Sequence, residues 1–301
     1  MLGTFVGIFV AIAIASPAAA ETALNRALPP RSNARAPLPT VPQKRKLESM
    51  GMKTSARSAF VADVASGSVL YAKDPHRVSP IASLTKLVTA MVFLDQKPDL
   101  AKRVTIEEVD EDIESKVILE PHDEFTQGEL LNAMLVGSVN AAANALARTS
   151  LGTEKFVEAM NVKMRQLGLR SPMFVDVSGL DPNNRAHAAD VAAIISTALR
   201  YPEIREATKR SEISIVSSTT KKEFRIKSTN FLLSSYLNQK PYSILLAKTG
   251  SLPRAGFCMA QVTKNAEGHE VVAVELGSEN TFSRFQDIKA LTAWAFDAYR
   301  W

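Results

Sequence analysis

The chain of 301 residues can build one large or two smaller domains around a sizeable core, and 46% hydrophobic with 22% charged residues excludes a disordered, fibrous or polytopic membrane protein. Its single cysteine, Cys258, excludes an intramolecular disulfide and a zinc site made of thiolates. The net charge of +5 is local: residues 21–57 hold eight Lys and Arg against two Glu, residues 1–20 hold no charged side chain, and residues 58–301 carry −1, which argues against a nucleic-acid partner for the body.

Leu2 to Ala15 is an apolar run followed by Ser16, Pro17 and Ala18-Ala19-Ala20, the pattern of a secretory signal over residues 1–20 with an A-x-A cleavage site. The n-region has no Lys or Arg, and the alternative is an uncleaved anchor. Residues 21–57, with Pro29, Pro30, Pro37, Pro39 and Pro42 among basic and small residues, read as a flexible leader, either a solvated spacer or a segment drawn to an anionic wall polymer or membrane surface.

The body, residues 58–301, opens with Ala59 to Val64 and Ser68 to Ala72 around Gly67, which predicts a hairpin. Ile81 to about Asp95 has helical spacing, and three more helical stretches run from Gln127 to Leu167 with breaks near Gly137 and Gly152. A further helix spans Asp190 to Tyr201, and strands follow at Ile213–Ser217, Glu223–Ile226 and Ser243–Ala247. Phe257–Val262 and Val271–Leu276 flank Asn265 to Gly268 as a second hairpin, and Phe282 to Tyr299 closes as an amphipathic helix. Strands at both ends with helices between predict an α+β fold: one sheet assembled from terminal segments, flanked by helices, beside an all-helical insertion, with a cleft between them for a ligand.

Ser83 and Lys86 are three apart at the start of the helix from Ile81, so the amine can reach the hydroxyl. Free N–H groups and the positive end of the helix dipole suit a serine that becomes an alkoxide and then carries an oxyanion. S-x-x-K alone is common by chance and is explained equally well by a surface helix start. Ser138-Val139-Asn140 sits at a break between helices, where a hydroxyl can relay a proton and an amide can hold a substrate carbonyl. Lys248-Thr249-Gly250 ends the strand Ser243–Ala247, supplying a cation, a hydroxyl and room for a substrate backbone.

Together, in this order and context, the three motifs resemble those of the penicillin-recognising serine enzymes. Ser79 to Met91, Met160-Asn161 before Leu167 to Leu169, Ser178-Gly179-Leu180 and Ala255-Gly256 extend the resemblance to the low-molecular-weight D-alanyl-D-alanine peptidases of the S11 family, within it to the endopeptidase branch of the penicillin-binding protein 7 type, over residues 58–301. The resemblance implies a β-lactamase/DD-peptidase-like fold and acyl transfer on peptidoglycan muropeptides without metal or organic cofactor. It implies Ser83 as nucleophile, Lys86 as its base, and Ser138 with Lys248 as the proton path to the leaving amine. It also implies Asn140 holding the peptide, Lys248 and Thr249 attracting its carboxylate, and an oxyanion hole from the N–H groups of Ser83 and Ser251, the residue after Gly250. β-Lactams would be covalent inhibitors.

The sequence departs from the family at Leu252, where a carboxylate-binding Thr is usual, leaving Ser251, Arg254 or a preference for internal cross-links to compensate. Ala141 stands where many relatives carry Asp. No β-rich domain or amphipathic anchor follows the last predicted helix, so a soluble periplasmic enzyme without a stable membrane anchor is expected.

Rival readings have less support. A β-lactamase would need a deacylating Glu, and Glu158, the nearest candidate, falls in a helical pattern too close to Asn140. A Ser-His-Asp hydrolase lacks a G-x-S-x-G elbow, and His76, His122, His187 and His269 read as surface residues. A wall-binding module that has lost turnover conflicts with three complete motifs. Cys258, after apolar Phe257, reads as a buried structural thiol.

Overall fold

Side chains alternate across a strand, so a sheet covered on both faces divides its residues between two cores. The structure is a computed structural model that describes residues 40–111 and 119–301; the signal-like segment 1–20 and the leader as far as residue 39 lie outside the described residues. Its strands in chain order are β1 (Gln43–Lys44), β2 (Ser58–Asp63), β3 (Val69–Lys73), β4 (Ser79–Pro80), β5 (Arg103–Thr105), β6 (Glu124–Thr126), β7 (Arg185–Ala186), β8 (Glu212–Val216), β9 (Glu223–Lys227), β10 (Ser243–Leu252), β11 (Gly256–Lys264), β12 (Glu270–Ser278) and β13 (Tyr299–Arg300). The α-helices are α1 (Thr85–Asp95), α2 (Gln127–Val136), α3 (Asn140–Ser150), α4 (Thr153–Gln166), α5 (Ala188–Ala198), α6 (Pro202–Thr208) and α7 (Thr281–Ala298).

One five-stranded antiparallel sheet has the order β10-β11-β12-β2-β3, so segments from both ends of the body pair as the sequence predicts. Ala62, Ala260, Val262, Val272 and Val274 face the core filled by the inserted helices, whereas Ala59, Val61, Met259, Val271 and Ala273 meet Phe285, Ile288 and Leu291 of α7. α1 is buried from Thr85 to Phe93, as a helix at the centre of a helical layer must be, and its polar members therefore need partners. Among the described residues no helix is long and apolar enough to cross a membrane.

Two sequence-based boundaries change, and two elements are new. The helix expected from Ile81 starts with a 3₁₀ turn, Ala82–Leu84, before α1. Lys248-Thr249-Gly250 does not follow a strand but lies inside one: β10 continues to Leu252, with Ser251 paired to Phe257. Polar residues read as a strand end because their burial against the cleft is a tertiary property. The strands expected at Ile213–Ser217 and Glu223–Ile226 pair as β8/β9, whereas the small ladder β5/β6 and helix α6, hidden by its short, charged sequence, were not anticipated.

Residues 40–57, read from sequence as the end of a flexible leader, are packed on the body. β1 pairs with β13, and Thr54 and Ala56 are buried. Thr54 Oγ1 donates to Glu275 Oε1 at 2.5 Å, and the Ser55 N–H and hydroxyl donate to Asp287 at 2.8 and 2.7 Å. Small hydroxyl residues anchor the stretch, which its proline and charge content conceals.

Candidate active site

Ser83 occupies the 3₁₀ turn ahead of α1, and its flanking residues Ala82 and Leu84 are buried while Ser83 itself reaches a cavity of about 320 Å³. Ala82 has φ of 49°, an uncommon conformation for a residue with a Cβ. The turn is clasped by two glycines. A Cβ on Gly179, whose φ is +84°, would lie 2.1 Å from the Ala82 carbonyl oxygen, and one on Gly250 would lie 2.9 Å from the Ser83 nitrogen. Gly250 thus lets β10 pass directly beside the serine.

Lys86 is fully buried in the first turn of α1, three residues after Ser83, and its Nζ donates to Ser83 Oγ at 3.1 Å, Asn140 Oδ1 at 2.6 Å and the Ser178 carbonyl at 2.5 Å. Three acceptors fix the amine against the serine. Asn140 is supplied by the first turn of α3, and Ser178 by a loop tied to the Asp176 carboxylate, which accepts from the N–H groups of Ser178, Gly179 and Asp181 at 2.8, 2.5 and 2.6 Å. Asn184 links this loop to Thr85 Oγ1 at 3.2 Å, beside the nucleophile turn.

A second hydroxyl–ammonium pair comes from elements distant in sequence. Ser138, at φ of 60° between α2 and α3, accepts from Lys248 Nζ at 2.8 Å, and Lys248 also donates to the Thr249 carbonyl at 3.0 Å. Burial, then the charges of Lys86 and Arg284, hold Lys248 well below the usual lysine range. Thr249 Oγ1 donates to Thr229 Oγ1 at 2.6 Å, and the Thr229 N–H bonds the Val136 carbonyl at 3.1 Å, so β10 is registered against the end of α2.

The cavity is lined by Ser83, Ser138, Thr229, Thr249, Ser251 and Arg284, among others. The structure therefore brings the three sequence motifs to one place. Leu252 turns toward the core instead, and Arg254 is exposed at the β10–β11 turn.

Sequence reasoning missed Arg284 on α7. Its Nη1 donates to the carbonyls of Gly250 and Cys258 at 3.0 and 3.3 Å, Nε is buried without a partner, and the guanidinium lies 4.7 Å over Phe285 and 5.6 Å from Phe257. Burial lowers it to about 10. A cation in the first turn opposes the helix dipole, and that conflict was the available signal. The Ser178 carbonyl left no such signal, because any residue supplies one.

The decoys stay apart from this cavity. Glu158 is exposed on α4 and lines a different groove. No histidine lines the cavity. Cys258 is buried, with its thiol pushed up to about 11 by burial, as an inert structural thiol is.

A family model described as D-alanyl-D-alanine carboxypeptidase, peptidase S11, matches residues 43–280. A Pseudomonas aeruginosa protein named D-alanyl-D-alanine endopeptidase is 31% identical over 241 residues, covering 79% of this chain and 76% of its own. The crystal structure of the Streptomyces K15 DD-transpeptidase is similar with a TM-score of 0.76 at 26% identity, over 83% of this chain and 100% of that one. Penicillin-binding protein D2 from Listeria monocytogenes, in its cefotaxime-bound form, is similar with a TM-score of 0.70 at 28% identity, over 81% of this chain and 98% of that one. With its nucleophile turn, helical-insertion motif and late strand converging on one cavity, the chain belongs to the S11 family of serine D-alanyl-D-alanine peptidases.

Proposed function

We propose that the protein is an exported D-alanyl-D-alanine endopeptidase that opens peptidoglycan cross-links in the periplasm through a Ser83 acyl-enzyme. The observation that carries this reading is the pairing of two hydroxyls with two buried lysine amines around one cavity: Ser83 with Lys86 at 3.1 Å, and Ser138 with Lys248 at 2.8 Å.

In this mechanism Lys86, in its neutral form, takes the Ser83 proton as Oγ attacks the carbonyl of a D-alanine residue. The oxyanion is held by the N–H groups of Ser83 and Ser251. Lys248 gives a proton through Ser138 to the leaving amine, and water then hydrolyses the ester. Asn140 holds Lys86 in place and borders the peptide.

Arg284 supplies the carboxylate contact that Leu252 cannot. A terminal D-alanine and the D-centre of a cross-bridge both present a carboxylate beside the leaving amine, so one guanidinium serves either substrate. The endopeptidase reading draws support from the relative of that name; a free chain end as substrate, giving carboxypeptidase action, is the alternative. Export is supported by the signal-like residues 1–20 together with the extracytoplasmic location of such a substrate.

Purified protein and a Ser83→Ala control, incubated with cross-linked dimers and with uncross-linked pentapeptides, test the proposal. Monomers released from dimers only by the Ser83 protein are expected. D-Alanine released from pentapeptides without dimer cleavage would reverse the choice, and neither product alongside stable penicillin labelling would favour a wall-binding module.

A further inference from the structure

The strand that carries Lys248, Thr249 and Gly250 begins at a second cavity. Just before β10, Tyr242 enters a hollow of about 310 Å³ lined also by Phe296, Trp301, Arg45, Asn265 and Arg300. Tyr242 and Phe296 stack at 5.5 Å and 28°, and Phe296 meets Trp301 at 5.9 Å and 41°. Trp301 is fixed from behind: its other contact is a stack on His269 at 4.9 Å and 12°, and its indole N–H donates to Asp63 Oδ1 at 2.7 Å. All three rings are half-buried. The rings are thus held by one another, and the hollow offers the ring surface they leave uncovered, a tyrosine hydroxyl and the Asn265 amide N–H groups, its Oδ1 already accepting from the Glu267 and His269 N–H groups.

Ring faces with a rim of hydroxyl, amide and guanidinium groups match a pyranose, which has apolar C–H faces and an equatorial belt of hydroxyl and amide groups. The charge of the rim discriminates further. Arg45 is met by Asp297, at 3.9 Å from Oδ1 and 3.0 Å from its carbonyl, which leaves Arg300 against Glu267 and a rim close to neutral, suited to an uncharged ligand. The proline-rich leader, whose composition also suits an aromatic groove, carries Arg26, Arg31 and Arg35, cations for which a near-neutral rim has no counter-charge to spare.

We propose that this hollow binds an N-acetylated pyranose of the substrate's glycan strand and anchors the polymer while a peptide branch enters the Ser83 cavity. The inference rests on the peptidoglycan reading above. Tyr242 and Lys248 are separated along one extended strand by roughly 20 Å, a span that a glycan with its peptide branch can bridge. Two-point attachment raises the effective concentration of the scissile bond without altering the chemistry at Ser83.

The test uses the full chain with Ser83→Ala, titrated with a β-1,4-linked tetramer of N-acetylglucosamine by calorimetry and tryptophan fluorescence. Binding is expected, weakened roughly tenfold by Tyr242→Ala and by Phe296→Ala. On the Ser83 background, Tyr242→Ala should leave benzylpenicillin acylation and cleavage of sugar-free peptides unchanged while slowing release of fragments from intact wall polymer. Unchanged acylation also shows that the variant folds. No binding of the tetramer, undiminished binding by the Tyr242 variant, or capture instead of a peptide of residues 21–39 would overturn the proposal. Tetramer binding with no acylation or cleavage would instead count against the catalytic reading.

Discussion

Besides Lys86, Lys248 and Arg284 are buried basic side chains whose burial has functional consequences. Lys248 must carry a proton to donate it through Ser138, yet burial and the charges of Lys86 and Arg284 depress its affinity for that proton. The rate of acylation by benzylpenicillin should therefore fall on the alkaline side at a pH well below 10.5, the ordinary value for lysine. A limb at the usual lysine position would contradict this role, and Lys248→Ala should remove most acylation in a folded protein. Arg284→Gln should raise KM for a carboxylate-bearing peptide by roughly 10- to 100-fold with a smaller change in kcat. A peptide amidated at that carboxylate should not distinguish the variant from the parent, an outcome that a purely structural role for Arg284 does not predict. The site was legible where chemistry demands particular residue types at fixed spacing, as with Ser83 and Lys86. It was illegible where a backbone carbonyl, Ser178, or a residue from the C-terminal helix completes it.

At the scale of elements, short apolar runs bounded by turn residues revealed β2, β11 and β12, and the runs are nearly continuous because each strand divides its side chains between two apolar cores. β10 was read short because Lys248 and Thr249 are polar, although both are almost completely buried. Its free edge beyond β11 faces the cleft, the position from which an extended peptide can be gripped by a strand. On β12, Glu275 is buried against Thr54 and Ser278, and its carboxyl is pushed up to about 8 from 4.5, chiefly by burial. The folded state keeps this proton between roughly pH 4.5 and 8 while the unfolded chain releases it, so the contribution to stability is present below 4.5 and is lost as pH rises through 8. Denaturant unfolding at pH 5.5 and 9 should show Glu275→Gln gaining on the parent at the higher pH by roughly 2 to 4 kcal/mol. Equal pH slopes in the two proteins would refute the assignment.

For the whole molecule, the sequence places strands at both ends and helices between, and the antiparallel order follows because terminal segments must share one sheet to cover their apolar faces. Composition misplaced the beginning of the folded part. A few hydroxyl contacts, Thr54 to Glu275 and Ser55 to Asp287, with the pairing of β1 and β13, hold residues that look unstructured by charge and proline content. The same architecture serves the site: the 3₁₀ turn presents Ser83 and α1 presents Lys86, the α2–α3 link presents Ser138, β10 passes along one side and α7 adds Arg284.

The convergence of these elements on Ser83 is tested most directly by intact-protein mass spectrometry after brief exposure to benzylpenicillin. The expected result is one stoichiometric adduct on the peptide containing Ser83, persistent over minutes and absent from Ser83→Ala. A folded protein that forms no adduct, carries it on another residue, or releases hydrolysed penicillin rapidly would contradict the account.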